Sequence, residues 1–596
     1  MTLRDKAAIL RRRSVFLALV LGTIGGLFYL MALLLAGDGL DLIDVGLLGC
    51  FLVMLPWNAL NFWNAAVGVG LMLRRGRPLD RVVPRLRSRA PLRGRTVVAM
   101  PIFEEDPTRV RRHLEAMRAS LEALPQAAFF EIHILSDTQD PVLSAQEACS
   151  LEAWPPGPVS IHYCRRTTNA DAKQGNLWAF LDRLRPGFAY MLVLDADSLM
   201  TGAAIHDLVR RMDADQHLGI LQTLAVGLPS ASGFARLFQY GMRQGMQMFA
   251  LGAAWWQGAT GCYWGHNALI RLAPFKAACR LPTLPGRPPF GGLILSHDQA
   301  EAALMRRAGY AVRVLPEEAG SFEENPPTLP EFLKRDLRWC QGNMQYGRLL
   351  FWRGLTWMSR LQLLLAMLMY LQAAAWLGFL LLSLLRPLLI KAGLLAAPTV
   401  PGKAALGFGL YLVVMFMVLT PKAMGLLMTL LRPGARHAFG GTRTILVSGA
   451  AEFLFSLLLM PLLAARQAFF ILGLFAGRAR IWSSQRRDQH RVPLGEAWRN
   501  LGPMAGLGCL LTVSAFWSAP TSLPMLLPVV LPLMLAPFLA WASALPAVGR
   551  WLVRLRVGAT PEEFDPPDEV RAAGHDLASR SLPAGRAMTG LTDGLA

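Results

Sequence analysis

Asp195 and Asp197, in the stretch YMLVLDADS at 190–198, are two carboxylates separated by one small residue. Side chains at i and i+2 can share one hard divalent cation, and a hard cation with open positions is what a diphosphate needs for binding and departure. The residues before them, Tyr190 to Leu194, are mostly apolar. That is the pattern of a buried parallel strand delivering polar groups at its carboxyl end, where open α/β sheets bind ligands. Because short acidic turns are common, the rest of the chain must decide whether this one is a site.

Other strands end the same way. TVVAMPIFEED at 96–106 closes on Glu104, Glu105 and Asp106, and FEIHILSD at 130–137 closes on Asp137. VSIHYC at 159–164 is a third strand, a helical stretch covers 171–185, and a fifth strand falls near 219–226. CYWGHNALIR at 262–271 suggests a strand at the floor of a cleft, and SHDQAEAALMRRAGY at 296–310 starts a helix with Asp298 in its first turn. Strands alternating with helices predict a βαβ sheet. Polar residues at one sheet edge would let Glu105, Asp137, Asp195 and Asp197 converge from distant positions.

The elements that must hold this segment are membrane-length. Of 596 residues, 53% are hydrophobic and 17% charged, too apolar for a soluble enzyme of this size. Crossing a ~30 Å hydrocarbon core takes about 20 residues, and apolar runs of that order occur at 14–36, 46–72, 361–385, 405–431, 445–475, 504–520 and 523–545. The first run is too long for a signal peptide and a second span follows at once. A net charge of +20 raises the possibility of a nucleic-acid partner, but the arginines gather beside the spans, as from Arg74 to Arg95. That is the positive-inside pattern, and with Asp38, Asp41 and Asp44 in the first loop it predicts a cytoplasmic amino terminus and a cytoplasmic 93–355 segment. Seven cysteines, scattered without a CxxC pair or a histidine partner at ligand spacing, argue against zinc and against a disulfide framework.

The predicted organisation is a basic leader (1–13), a transmembrane hairpin (14–73), a cytoplasmic α/β domain (93–355), a transmembrane bundle (356–551) with a cytoplasmic loop at 476–500, and a largely disordered tail (552–596). The 445–475 run would be ~46 Å as one helix, is interrupted by Pro461 and Arg466, and leads into the arginine-dense QRRDQHRVPLGEAW at 485–498. Cytoplasmic charge on both sides requires an even number of crossings, so a helical hairpin or re-entrant piece is expected there, for roughly eight transmembrane helices overall. Asn58, Asn61 and Asn64 share one side of the second span and should bond to neighbouring helices. The stretches 234–249 and 333–355 are amphipathic and suit either a membrane interface or a core.

In order along the chain, MPIFEED, SDT, KQGN, DADS, YWGHNALIR, SHDQAEAALMRRAGY and KRDLRWCQGN together resemble the processive family-2 glycosyltransferases, membrane enzymes related to cellulose and hyaluronan synthases. The match is closest to the glucans biosynthesis glucosyltransferase H family, which makes the backbone of osmoregulated periplasmic glucans. His297-Asp298 and Arg335-Asp336-Leu337-Arg338-Trp339 depart from the cellulose synthase pattern in the way that family does. Enterobacterial members carry a long cytoplasmic extension before the first span that this chain is not expected to share.

The resemblance implies an α-helical membrane protein of the bacterial inner membrane with an inserted GT-A-like domain. It implies UDP-glucose and Mg²⁺ (or Mn²⁺) as sugar donor and cofactor, and a growing β-glucan, β-1,2-linked in this family's products, as acceptor. The lipid bilayer and a periplasmic glucan-biosynthesis protein are implied as surroundings, with no nucleic acid. Glu105 and Asp137 are assigned to the uridine and Asp197 with Asp195 to the metal, while Lys173 and Arg338 are placed near the phosphates. Inversion at an anomeric carbon needs one general base and no protein nucleophile, the role of Asp298. Trp339, Arg335 and His266 face the acceptor, and the 485–498 loop corresponds to a mobile gating loop. A transporter is the alternative from another class, disfavoured by the lack of internal repeats between the two membrane blocks.

Overall fold

The structure is a computed structural model describing residues 3–36, 39–84, 91–395, 403–479 and 486–577. Strands β1 (Arg95–Ile102), β2 (Phe130–Ser136), β3 (Ser160–Arg165), β4 (Phe188–Val193), β5 (Leu218–Gln222), β6 (Ala268–Arg271) and β7 (Ala311–Val314) form one mixed sheet, in the order β3-β2-β1-β4-β6-β5-β7. The first four pair in parallel, and β6 is antiparallel to both β4 and β5. β1 and β4 are apolar nearly throughout because they are covered on both faces. The strand expected at 262–271 is confined to Ala268–Arg271: Gly265 and Asn267 take positive φ of 87° and 50°, which no ladder can continue.

In chain order the helices that frame this sheet are α1 (Leu3–Leu35), α2 (Leu42–Met72), α3 (Pro107–Glu122), α4 (Gly233–Gln257), α5 (His297–Arg307), α6 (Leu329–Leu349), α7 (Trp357–Lys391), α8 (Ala404–Leu431), α9 (Thr442–Phe475), α10 (Leu494–Ser518), α11 (Leu523–Met534) and α12 (Ala536–Ser543). Among the described residues, six (α1, α2, α7, α8, α9 and α10) are long and apolar enough to cross a bilayer, and the pair ending in α11 and α12, bent by 54°, can make a seventh.

The amphipathic 234–249 stretch lies within α4, which joins the domain to the membrane helices. Glycines let α4 approach α2 closely: a Cβ on Gly68 would lie 2.1 Å from the Met248 carbonyl oxygen, and one on Gly252 1.9 Å from that of Asn64. Trp256 stacks on Phe16 at 4.6 Å and donates its indole N–H to Asn64 Oδ1 at 3.0 Å. Asn58 donates to Gln372 on α7 at 3.4 Å. Two of the three span asparagines therefore bond across helices as expected.

α9 corrects the expected hairpin at 445–475. It is one helix of 34 residues that continues through Pro461, where proline removes a single backbone bond and tertiary packing holds the turn. Both its ends touch the α/β domain. Tyr240 of α4 donates to the Ile445 carbonyl at 3.2 Å, Gln467 donates to Asp336 of α6 at 2.8 Å, and Phe475 packs edge-on against Phe290. No break divides it into two crossings, and as a single helix it is long and apolar enough to cross once.

The 552–596 tail is also different from its expectation over the described part, while 578–596 lies outside the described residues. Arg236 of α4 is fully buried, donating to the Val557 carbonyl at 2.5 Å and pairing with Glu563 at 2.8 Å. Arg243, two turns further along the same face, is held between Glu318 and Glu562 at 2.6 and 2.5 Å. Val570 and Ala573 enter the domain core beside Leu121 and Met200. A Pro- and Asp-rich composition reads as disorder, but these acids have buried arginines waiting for them. Arg236→Met should leave Glu563 buried and uncompensated, costing about 3–5 kcal/mol. We expect a lower thermal midpoint in detergent and faster proteolysis between 557 and 577; unchanged values would mean the segment is not anchored by this pair.

Candidate active site

Parallel pairing fixes where the acids emerge. The Asp137 N–H donates to Ile102 O at 3.0 Å and the Leu194 N–H to Ala99 O at 2.9 Å, so the carboxyl ends of β2, β1 and β4 stand side by side. Glu105, Asp137, Asp195 and Asp197 all line one cavity of about 610 Å³. The same cavity is lined by Lys173, His266, Asp298, Arg335, Arg338 and Trp339. Every residue expected at the site is thus brought to it, although the side chains do not all face the partners expected.

Asp195 pairs with Lys173, whose ammonium also donates to the Gly265 carbonyl at 2.8 Å. Burial raises the Asp195 carboxyl, but Lys173 and His266 outweigh it and hold it below the usual carboxylate range. Asp197, 6% exposed, accepts from Arg487 at 2.5 Å. The same guanidinium forks onto Glu105 with contacts of 2.8–3.0 Å. One arginine from the 485–498 loop therefore bridges the carboxylate expected to bind uridine and the carboxylate expected to bind metal. Asp137 is gripped by Arg166 at 2.5 and 2.7 Å, and Arg166 also donates to the Ala172 carbonyl at the start of the Lys173 helix.

Asp298 sits in the first turn of α5. Burial raises its pKa above the ordinary carboxylate value, with His297 pulling the other way. His297 in turn pairs with Glu301 at 3.1 Å; burial lowers its pKa, but Glu301 outweighs burial and the net shift is upward. On α6, burial draws Arg338 down to about 10, and Arg335 places its guanidinium 4.9 Å from the centre of the Trp339 ring. Trp339 is 43% exposed, leaving the rest of its indole open. His266 faces Glu323 at 3.5 Å.

Backbone strain gathers here. Of six described non-glycine residues at positive φ, Glu104, Asp171, Ala172 and Asn267 adjoin Glu105, Lys173 and His266. Asn267 is held by donating to Ser321 Oγ and the Phe322 carbonyl at 2.9 and 3.1 Å.

Sequence reasoning missed Arg487, Arg166 and Glu323. Arg487 stands among Arg486 and Arg491, and no local pattern separates it from them. Glu323 ends the short strand Ser321–Glu323 in SFEEN, another acid after an apolar residue, and that signal was available. At its other end the cavity reaches Trp57 and Asn64 of α2 and Met369 and Tyr370 of α7.

The donor set fits a hard cation: Asp195 and Asp197 offer oxygen ligands at the strand end, and Asp197 already binds a positive group in Arg487.

Residues 97–278 match the family Glycosyl transferase family 2, and 190–465 match Glycosyl transferase family group 2. The chain is 36% identical to the glucans biosynthesis glucosyltransferase H of Bradyrhizobium diazoefficiens, over 96% of this chain and 77% of that one. It is 35% identical to that of Xanthomonas euvesicatoria pv. vesicatoria, over 91% and 87%, and 37% identical to that of Cereibacter sphaeroides, over 83% and 84%. Among solved structures, the mannosyltransferase PcManGT of Pyrobaculum calidifontis is similar at 14% identity and a TM-score of 0.41, covering 65% of this chain and 98% of that one. Identity sustained over most of both chains makes this protein a member of the glucans biosynthesis glucosyltransferase H family and a hexosyltransferase.

Proposed function

We propose that the protein is an inner-membrane enzyme, its α/β domain cytoplasmic, that transfers glucose from UDP-glucose to a growing β-linked, β-1,2 glucan and passes the chain outward. The observation that carries this reading is the single cavity joining Asp195, Asp197 and Asp298 to the α2 and α7 side chains Trp57, Asn64 and Tyr370. A pocket for one small sugar acceptor would have no need to continue between membrane-length helices.

In the proposed reaction Glu105 and Asp137 receive the nucleoside, and the Arg335 and Trp339 surface holds the terminal sugar of the acceptor. Asp298 takes the proton of the acceptor hydroxyl as its oxygen bonds to the anomeric carbon; the bond from that carbon to the phosphate oxygen breaks, and UDP leaves. Attack opposite the leaving group inverts an α-linked donor into a β-linked product. A Mg²⁺ or Mn²⁺ ion held by Asp197 and Asp195 would supply positive charge to the departing diphosphate. Lys173 and Arg338 add to that charge from the protein side, and the downward shift of Arg338 leaves it protonated at neutral pH. Since Arg487 occupies Glu105 and Asp197, the loop that carries it must release these carboxylates before they can serve nucleoside and cation.

Purified protein in lipid, given labelled UDP-glucose and Mg²⁺, should release UDP and extend a β-linked glucan whose linkage analysis reads β-1,2. A single glucose on a lipid carrier as the sole product would replace this reading with a non-processive one. Asp298→Asn should bind UDP-glucose with metal about as well as the parent and lose turnover by 10²–10⁴-fold, the usual worth of a general base. Asp197→Asn should weaken both, with partial recovery at high metal. Because the working form of Asp298 is the carboxylate and burial raises its pKa, activity should fall as pH drops through a point above the ordinary carboxylate range. An acid limb at that ordinary value, or calorimetry showing donor binding abolished in Asp298→Asn, would place the base elsewhere. Arg487→Ala removes the cation that competes for Glu105 and Asp197, so UDP and Mg²⁺ should bind together about 10-fold more tightly, or ~1.4 kcal/mol; weaker binding would instead make Arg487 a ligand of the nucleotide.

A further inference from the structure

Behind the Asp197 turn lies a second cluster that the transfer chemistry does not use. His113 is fully buried on α3, Glu324 follows the strand Ser321–Glu323, and His575 closes the turn after the helix Asp568–Ala572. Their ligating atoms face one another. His113 Nε2 and His575 Nε2 are 3.0 Å apart, and a Glu324 oxygen lies 3.7 Å from the first and 3.5 Å from the second.

These three separations are close to the edges of a tetrahedron. Zinc–nitrogen and zinc–carboxylate bonds of about 2.0–2.1 Å put neighbouring ligand atoms roughly 3.3 Å apart. The imidazoles are not stacked, with centroids 5.2 Å apart and planes at 54°, so the rings point their Nε2 atoms inward and do not pack face to face. The other group of this kind among the described residues, Glu131 with His133 and His162, is a poorer candidate: its imidazoles stack, with centroids 4.7 Å apart and planes at 30°, and His162 is exposed.

We infer that His113, Glu324 and His575 form a three-ligand site for a zinc-class divalent cation, clamping the carboxyl-terminal segment onto the α/β domain. Two nitrogens and one carboxylate suit zinc and its neighbours, not magnesium, which favours oxygen ligands. The site is thus chemically separable from the Asp195–Asp197 pair. Its position links three parts of the chain. The tail is seated by Val570 in the core and by Ser120 donating to Glu569 at 2.5 Å, while Arg109, one helical turn before His113, pairs with Glu324 at 3.5 Å and with Asp488 of the loop that carries Arg487.

The test uses the full chain in lipid nanodiscs, stripped with a chelator and reloaded with Zn²⁺ or Co²⁺ in excess Mg²⁺. We expect one tightly held equivalent, with the visible absorption of tetrahedral Co²⁺, and slower proteolysis between 557 and 577 when Zn²⁺ is bound. His575→Ala and the near-isosteric Glu324→Gln should each weaken retention by at least about 10²-fold, the upper end of what even an outer-shell change costs. Asp197→Asn should retain the ion fully. Cysteine binding is separated by the same comparison, since both variants keep all seven thiols. No retained zinc in the parent, or equal retention in parent, His575→Ala and Glu324→Gln, overturns the site. Neither outcome depends on sugar transfer, so a failure here leaves the proposed reaction to be judged on its own assay.

Discussion

Carboxylates crowded at the mouth of one sheet impose the constraint on which the site depends. Glu105, Asp195, Asp197 and Glu323 line the same cavity, and like charges about 4 Å apart repel by ~4 kcal/mol at an effective dielectric of 20. Such a group cannot stay ionised without cations beside it. Lys173 answers Asp195, Arg166 answers Asp137, and Arg487 answers Glu105 and Asp197 together. Burial with incomplete compensation shows in Glu324, whose pKa is pushed up to about 7. The first two cations come from the domain itself. The third arrives on a loop from the membrane part, so charge balance in the cavity and the position of that loop are one problem.

The same coupling runs through the helices beneath. α4 lies against α2 by backbone contact at Gly68 and Gly252, and α6 and α9 are tied by Gln467 and Asp336. With these helices seated on the domain, the cavity extends from the sheet edge to side chains of α2 and α7. Trp57, Asn64 and Tyr370 line it there with aromatic faces and an amide group.

The carboxyl-terminal segment closes the arrangement from behind. Its acids neutralise Arg236 and Arg243 on α4, and its last described turns reach α3 at the back of the Asp197 strand end. The segment therefore contacts both the helix that joins domain to membrane and the helix that carries Arg109, the partner of the Arg487 loop.

Local sequence determined the catalytic strands, because a strand buried on both faces must be apolar and its polar residues can appear only at its end; β1, β2 and β4 were legible for that reason, as were Asp195, Asp197 and the first turn of α5. It also determined that the chain is built into a membrane, since apolar runs of this length have no other use. How a given apolar run divides into helices was beyond it. A run broken by Pro461 reads as a hairpin as readily as one helix, and only packing against α4 and α6 shows that α9 is a single helix of 34 residues. Tertiary structure alone chose Arg487 from an arginine-rich loop, 382 residues from Glu105 and 290 from Asp197, and matched Glu563 to Arg236 across 327 residues. Ion pairs of that span leave no local trace: composition says how many charges must be neutralised, and only the packed chain says which neutralises which.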